Sequence, residues 1–329
     1  MCYLRAQSSF APCPHVEIFL LPMGLISLIA ALLLEQWRPL ADQRYLFSQV
    51  ARYASFLERQ FNAGEAQHGT VAWLVAVLPP VLLAGLVHAL LARWSTLFAL
   101  AFEVFALYLT MGFRQFSHYF TDIHLALKQD DLARARELLA AWRGHDCDDL
   151  SREEVARLTI EEALAASHHH VFAVVFWFML LPGPSGAILY RLAYFLCRRW
   201  GGSDTPELVQ FGRFAKQAFE TLDWLPVRFT AAAFAVVGDF EDAVFCWRTQ
   251  AARWPDPALG IVLAAGAGAI GVRLGNPVFI KGTVVERPEL GLSEEADSGF
   301  FDSTIGLVWR SLVLWLLMLL LFGVARAVS

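Results

Sequence analysis

The most constraining feature of the sequence is a set of apolar runs long enough to cross a lipid bilayer. A membrane-spanning helix needs about 20 mostly apolar residues, because each residue rises 1.5 Å through a hydrocarbon core roughly 30 Å thick. Four stretches meet this requirement, and they are Glu17–Leu34, Thr70–Leu91, Ser95–Phe113 and Ile305–Val328. The chain is 57% hydrophobic and only 17% charged, which is too apolar for an ordinary soluble domain. The sequence therefore predicts an all-α polytopic membrane protein.

Composition excludes several other classes of protein. A disordered, collagen-like or coiled-coil chain needs residue usage that this chain lacks. The formal net charge of −5 gives no basic footprint for nucleic acid. The five cysteines are scattered without a C-x-x-C pair, so neither a disulfide framework nor a structural zinc site is expected. The predicted partner is the lipid bilayer, and no nucleic acid is expected to bind.

A fifth apolar region, Val171–Leu196, is interrupted at its centre by Pro182-Gly183-Pro184-Ser185-Gly186. Proline and glycine disrupt a continuous helix, so this region is predicted to form two short half-helices. Arg198 and Arg199 follow directly and are expected to stay at the membrane surface. The pattern predicts a re-entrant hairpin that returns to the face from which it started.

The distribution of Lys and Arg predicts the orientation of the chain. Basic residues are concentrated after the first and third spans, whereas the link between the second and third spans carries only Arg93. Basic loops face the cytoplasm. The chain is therefore expected to be a multi-pass protein of a bacterial-type inner membrane, with its extreme N-terminus outside. Glu35–Arg38 stands where a cleavage site would need small residues, so the first span is predicted to be an uncleaved anchor.

These patterns divide the chain into four predicted regions. An N-terminal extension (1–22) precedes Met23, which would make a natural start, and a first membrane region with three spans covers 23–113. A cytoplasmic helical lobe follows at 114–170, in which Gly144 ends one helix and the capping box Ser151-x-x-Glu154 begins the next. The second membrane region (171–329) contains the hairpin, polar loops such as Gly275–Asp302 and the last span. A protein partner is expected at the lobe.

Two ionisable residues fall inside predicted spans, His88 in the second and Glu103 in the third. A charged side chain at the bilayer centre costs at least about 2.5 kcal/mol, so such residues often have a function. The alternatives are that the two residues pair inside the helix bundle, or that Glu103 is protonated. The sequence leaves these alternatives open.

The histidine run His168-His169-His170 could bind a metal ion, but the favoured interpretation places its imidazoles at the boundary between the lobe and the membrane, so no metal ligand is assigned. Consecutive residues of an α-helix point about 100° apart, so at most one or two of these rings can reach a common ion. Walker-type and nucleophile-elbow motifs are absent from the sequence, and no convincing dinucleotide-binding turn occurs in it. The common signatures of soluble enzymes therefore do not apply.

Three arginines near polar loops predict an anion-binding site. Arg213 and Arg228 lie in one polar segment together with Asp223, and Arg273 follows a run of small residues. Guanidinium groups hold phosphate or carboxylate by bidentate contacts. The equally weighted alternative is that these side chains pack and snorkel at the membrane surface.

At these residues the sequence resembles the CobD/CbiB family of cobalamin-biosynthesis membrane proteins, and also the related AmpE proteins. No single motif is diagnostic, and the resemblance depends on the order and spacing of many. The matching segments are Asp130–Arg136, Gly144–Asp146, Glu154–Arg157, Thr159–Glu161, Phe211–Arg213, Pro226–Ala231, Gly271–Gly275 and Arg287–Gly291. They run in order along most of the chain.

The resemblance implies a polytopic inner-membrane protein and an amide-forming ligase step. That step joins aminopropanol or its phosphate to adenosylcobyric acid, a corrinoid, with ATP and a divalent metal as the implied cofactors. Glu161 and Glu220 would be the catalytic carboxylates. The substrate-binding residues would be Arg213, Asp223, Arg228 and Arg273.

The chain departs from the family pattern at its carboxylates. Family Glu and Asn fall on Ala165 and Ala166, and a family Asp falls on His169. The family run N-T-L-D falls on Tyr194–Cys197, and paired Asp residues fall on Phe219 and Glu220. These losses leave open whether the chain is an enzyme. Since Leu222–Arg228 looks more like AmpE, a non-catalytic modulator of envelope or β-lactamase signalling is the alternative to a cobalamin-biosynthesis protein.

Overall fold

The computed structural model describes residues 14–37, 43–62, 66–202, 206–280 and 283–328. Its helices before the predicted hairpin are α1 (Pro14–Trp37), α2 (Gln43–Phe61), α3 (Ala66–Trp94), α4 (Thr96–Thr110), α5 (Phe113–Lys128), α6 (Leu132–Arg143), α7 (Arg152–Ser167) and α8 (Ala173–Leu180). The later helices are α9 (Ser185–Leu196), α10 (Pro206–Val237), α11 (Phe240–Gln250), α12 (Pro257–Ile270) and α13 (Phe300–Val328). This architecture confirms the predicted all-α membrane fold.

Within the described part of the chain, three helical stretches are long and apolar enough to cross a membrane. They are Gln67–Trp94, Arg152–Leu180 and Phe300–Ala325. The first and last coincide with predicted spans. The predicted first span lies within α1, which begins at Pro14 and runs through Met23, so the proposed boundary after residue 22 falls inside a helix. Residues 1–13 of the predicted extension lie outside the described residues.

The predicted third span is shorter than expected. Helix α4 has 15 residues, which is about 22 Å at 1.5 Å per residue, less than the roughly 30 Å of a hydrocarbon core. It ends at Thr110 because Met111 takes an extended conformation, and Gly112 then begins α5. The prediction of a span through Phe113 was wrong at its C-terminal end, where apolar composition continues but the helix does not.

The predicted boundary between lobe and second membrane region, at residue 170, falls inside one continuous helical stretch. Helix α7 begins at the predicted capping box of Ser151 and Glu154 and continues through a π-helical segment, His168–Phe172, into α8. No proline or glycine occurs between Arg152 and Leu181, so nothing in the sequence breaks the helix there. The predicted helix end at Gly144 is confirmed, with φ of 73°.

The two half-helices of the predicted hairpin are α8 and α9. They pack against each other, and Gly186 permits this contact because an added Cβ would lie 1.8 Å from the Trp177 carbonyl oxygen. A second π-helical segment, Cys197–Gly201, continues α9. Whether this hairpin is re-entrant in a membrane stays a prediction.

Short strands replace part of the predicted loop Gly275–Asp302. The strands are β1 (Val272–Leu274), β2 (Val278–Ile280), β3 (Thr283–Val285), β4 (Leu290–Gly291) and β5 (Glu294–Glu295). Strand β1 pairs antiparallel with β4 and parallel with β5, and β2 and β3 form an antiparallel pair. Backbone pairing thus orders a segment whose Gly, Pro and Glu content indicated a loop.

Candidate functional site

A cavity of about 250 Å³ lies where α7, the two π-helical segments, α10 and the start of α12 meet. Its wall combines small, aromatic and charged side chains. The lining residues that carry the argument below are Ala165, Ala166, His169, Tyr194, Cys197, Arg198, Lys216, Phe219, Glu220 and Asp223. This central cavity is the candidate functional site.

Two π-helical segments contribute to the wall of the cavity. His169 belongs to the first segment, and Cys197 and Arg198 belong to the second. π-Helical turns are rare and occur frequently at functional sites, where the extra residue redirects the side chains of a helix. The two irregular turns therefore favour a functional role for the cavity.

A buried polar cluster forms one wall. The Tyr190 hydroxyl donates to Asp223 Oδ1 at 2.8 Å, and His168 Nε2 lies 2.9 Å from the same oxygen. His168 Nδ1 is 2.9 Å from the Thr230 hydroxyl, and His169 Nδ1 is 3.1 Å from the Tyr190 hydroxyl. Asp223 is 1% exposed, and none of the described residues gives its Oδ2 a hydrogen-bond partner. The cluster therefore leaves one carboxylate oxygen unpartnered beside the cavity.

Charged side chains of both signs line the remainder of the cavity. Arg198 and Lys216 are exposed cations, and Glu220 is an exposed carboxylate. Glu162 is half-buried and lies 3.8 Å from Arg143, which compensates part of its charge. Asp256 accepts hydrogen bonds from the first backbone amides of α12. A ligand that carries both a positive and a negative group would find complementary charges here.

Cys197 is the one sulfur among the residues that line the cavity in the described structure. Burial, followed by the negative charge of Glu220, raises the pKa of its thiol to about 11. The thiolate is the nucleophilic form of cysteine, so Cys197 is protonated and weakly reactive at neutral pH. Cys197 therefore acts as a small apolar residue in the cavity wall.

The predicted site residues separate into distinct places. Glu220 and Asp223 line the central cavity. Glu161 instead accepts hydrogen bonds from Arg287, at 2.7 Å, and from the backbone amide of Gly275, at 2.9 Å. Its carboxylate is thus held inside a structural ion pair.

The structure does not bring the three predicted arginines together. Arg273 lies 2.9 Å from Glu289, and the Arg228 guanidinium stacks 3.9 Å from the centre of the Trp224 ring. Arg213 is exposed on α10, 15 residues before Arg228, which is about 22 Å along a helix. Each arginine therefore has its own environment, and the structure gives no support to one anion site shared by all three. Whether any one of them contacts substrate stays a prediction.

Comparison with known proteins places the chain in a family. A family model described as CobD/CbiB protein matches residues 28–308. The chain belongs to this family. It is 36% identical over 303 residues to a cobalamin biosynthesis protein CobD of Stutzerimonas stutzeri, covering 91% of this chain and 97% of that protein. It is 38% identical over 229 residues to a cobalamin biosynthesis protein CobD of Chromobacterium violaceum, covering 68% and 73%. No solved structure matches the chain.

Most of the positions at which the sequence is expected to depart from the CobD/CbiB pattern line the cavity. They are Ala165, Ala166, His169, Tyr194, Cys197, Phe219 and Glu220, whereas Phe195 is not among the residues that line it. Sequence reasoning identified these positions only as losses and missed their common location. It also missed Arg198 and Lys216 as site residues.

The donor groups of the buried cluster do not fit the magnesium ion that accompanies ATP in amide-forming ligases. Magnesium binds through carboxylate, carbonyl and water oxygens in octahedral geometry. The buried donors here are the imidazoles of His168 and His169 and the single carboxylate of Asp223. Two of these three donors are nitrogen atoms, which do not suit magnesium. No step of the reaction is therefore assigned to a magnesium ion at this cluster.

Proposed function

We propose that this CobD/CbiB protein acts in cobalamin biosynthesis by binding aminopropanol phosphate in the central cavity. The proposal is supported by the lining of this cavity, which includes most of the positions at which the resemblance to the family implies polar or acidic side chains. Residues at these positions would contact a ligand bound in the cavity. The side chains that this chain carries there would therefore determine which ligand binds.

The size of the cavity favours the smaller of the two family substrates. Drug-sized ligands occupy pockets of about 300 to 1,000 Å³. A volume of about 250 Å³ accommodates aminopropanol phosphate, whereas a corrinoid ring is far larger. We place the corrinoid outside the cavity, with only one side-chain carboxylate at its entrance.

The charges of the cavity match the two ends of aminopropanol phosphate. Arg198 and Lys216 supply positive charge for the phosphate, in the manner of other phosphate-binding side chains. Glu220 supplies negative charge for the ammonium group. When the amine nitrogen attacks the carbonyl carbon of an acyl phosphate made with ATP, the amide bond forms, phosphate leaves, and the Glu220 carboxylate takes up the proton that the nitrogen releases. Glu161 is assigned no part in this step, because its carboxylate accepts two hydrogen bonds from the Arg287 guanidinium.

Direct binding tests this proposal. Isothermal titration of the detergent-purified protein with aminopropanol phosphate is expected to show one site. Arg198→Ala should weaken binding at least tenfold, since it removes one of two phosphate contacts. Arg199→Ala is the matched control, because Arg199 donates to the Ser55 hydroxyl at 2.7 Å and is absent from the residues that line the cavity.

Equal binding by the wild type and Arg198→Ala would contradict the proposed ligand position, and a folded protein that binds no aminopropanol phosphate would contradict the ligand itself.

Complementation of a mutant that cannot make cobinamide extends the test to the cell. Glu220→Gln should fail to restore growth without added corrinoid. The same assay on Arg213→Ala, Arg228→Ala and Arg273→Ala tests the arginines that the sequence singled out.

The alternative of an AmpE-like modulator stays a prediction that these comparisons do not support. It requires that deletion of the gene alters the β-lactam or envelope response without creating a corrinoid requirement. A corrinoid requirement after deletion would exclude a purely modulatory role.

A further inference from the structure

A compact group of metal-ligating side chains lies at the buried wall of the central cavity. His168, His169 and Asp223 each offer one ligand atom, and these atoms all lie within 4.8 Å of one another. His168 and Asp223 are buried, at 0% and 1% exposure, while His169 reaches the cavity. Three donors from two helices that converge in this way are typical of a divalent metal site.

We propose that His168, His169 and Asp223 bind a Zn²⁺ ion. Two imidazoles and one carboxylate are the donor types that zinc prefers, and three protein ligands leave a fourth position open. His169 and Asp223 both line the cavity, so the open position faces the space where a ligand would enter. The inference depends on this geometry alone and stands independently of the proposed substrate.

The groups around the cluster orient the three ligands. His168 uses Nε2 toward Asp223, while its Nδ1 lies 2.9 Å from the Thr230 hydroxyl. The Tyr190 hydroxyl contacts His169 and Asp223 together. Ligating histidines usually bond through their second ring nitrogen to such a partner, which fixes the ring orientation. Thr230 and Tyr190 therefore act as positioning residues for the site.

Asp223 Oδ2 supplies an independent indication that the cluster binds a cation. This oxygen is buried, and within the described structure it has no hydrogen-bond partner. A buried carboxylate oxygen without a partner costs free energy comparable to a lost hydrogen bond or more. A bound cation would satisfy it.

The remote third ligand explains why the sequence did not predict this site. On an α-helix two of three adjacent histidines can reach a common ion, but no local pattern joins them to a carboxylate elsewhere in the chain. In the π-helical segment the rings of His168 and His169 have centroids 4.8 Å apart. Asp223, which lies 55 positions later in the chain, then completes the set from α10.

Metal content of the purified protein tests the proposal. The full chain carrying a non-histidine affinity tag is stripped with chelator, exchanged into detergent and loaded with Zn²⁺. We expect about one tightly held Zn²⁺ per chain by elemental analysis, with no comparable binding of Mg²⁺. His169→Gln should lower the affinity at least tenfold, and His170→Ala, from the same histidine run but outside the donor set, is the matched control.

Two further variants distinguish ligation from a structural role. Thr230→Val and Tyr190→Phe keep all three ligands and should weaken Zn²⁺ binding by about tenfold, as loss of an orienting partner does. Co²⁺ substitution should give the visible absorption of a four-coordinate site, and His169→Gln should abolish it. A folded wild-type protein that holds no Zn²⁺, or Zn²⁺ retained equally by His169→Gln and His170→Ala, would overturn the assignment.

Discussion

At the scale of single residues, the two ionisable side chains within the apolar helices satisfy each other. Glu103 on α4 accepts a hydrogen bond from the Ser27 hydroxyl of α1 at 2.5 Å, and His88 Nε2 of α3 lies 2.8 Å from its second oxygen. The side chains of His88 and Glu103 are 8% and 4% exposed. Of the alternatives that the sequence left open, pairing inside the bundle is the one the structure shows.

Removal of one member of this pair should destabilise the protein. Breaking a buried pair leaves an uncompensated polar group and costs about 3 to 5 kcal/mol. His88→Leu is therefore expected to lower the free energy of unfolding in detergent by about 3 kcal/mol, measured by chemical denaturation. The double variant His88→Leu/Glu103→Leu should recover part of the loss. His118→Ala, at a histidine whose side chain is 76% exposed, is the control.

Cys197 provides a pH-dependent prediction at the same scale. Because burial raises its pKa to about 11, the thiolate fraction at pH 8 is about a hundredfold below that of a thiol with a pKa of 9.0. Alkylation of Cys197 in the folded protein should be correspondingly slow and should still increase with pH above 10. Mass spectrometry of the modified peptide measures the rate, with the denatured chain as reference. A rate that levels off near pH 9 would contradict the raised pKa.

At the scale of secondary-structure elements, small residues set how closely the helices of the hairpin approach. Sequence reasoning correctly separated α8 from α9 at the Pro-Gly run because helix breakers act locally. It placed the end of the preceding lobe inside a continuous helix because a histidine run carries no comparable signal. The π-helical turns were missed for the same reason, since they arise where packing redirects a helix that is otherwise regular.

Substitution of Gly186 tests the close contact of α8 with α9. The Cβ of Gly186→Ala would lie 1.8 Å from the backbone carbonyl of Trp177, and backbone atoms cannot rotate away. We expect a loss of about 3 kcal/mol in stability, measured by thermal unfolding, since overpacking a close contact is destabilising. Gly323→Ala in α13, where an added Cβ meets no atom within 4 Å, should leave stability unchanged or slightly raised.

At the scale of the whole molecule, a buried ion pair joins the strand segment to α7. Arg287, which lies between β3 and β4, donates to Glu161 of α7 across 126 positions of sequence, and it also donates to the carbonyl oxygens of Asn276 and Gly275. The sequence selected Glu161 as a catalytic residue because its segment resembles the family pattern. Its carboxylate holds the loop beside α7 through Arg287 and the Gly275 amide, and its catalytic role stays a prediction.

Loss of this anchor should loosen the strand segment. In the described structure, Arg287→Met would leave the Glu161 carboxylate with a single hydrogen bond, from the Gly275 amide. The segment 276–289 is therefore expected to be cleaved faster in limited proteolysis. Arg134→Met is the matched control, because the Arg134–Glu137 pair is exposed and such pairs contribute about 1 kcal/mol or less. Equal cleavage of both variants would show that the strands hold the segment without Arg287.

The sequence by itself determined the helical membrane character, the broken hairpin, the capping box and the family of this protein. Each of these depends on contiguous residues or on ordered motifs, so apolar length, helix breakers and spacing are sufficient. Only the tertiary structure decided that Glu161 is engaged by Arg287, that the three arginines lie apart, and that His168, His169 and Asp223 converge. These outcomes depend on distances between residues far apart in sequence, which are set by helix packing and by the two π-helical turns rather than by any local pattern.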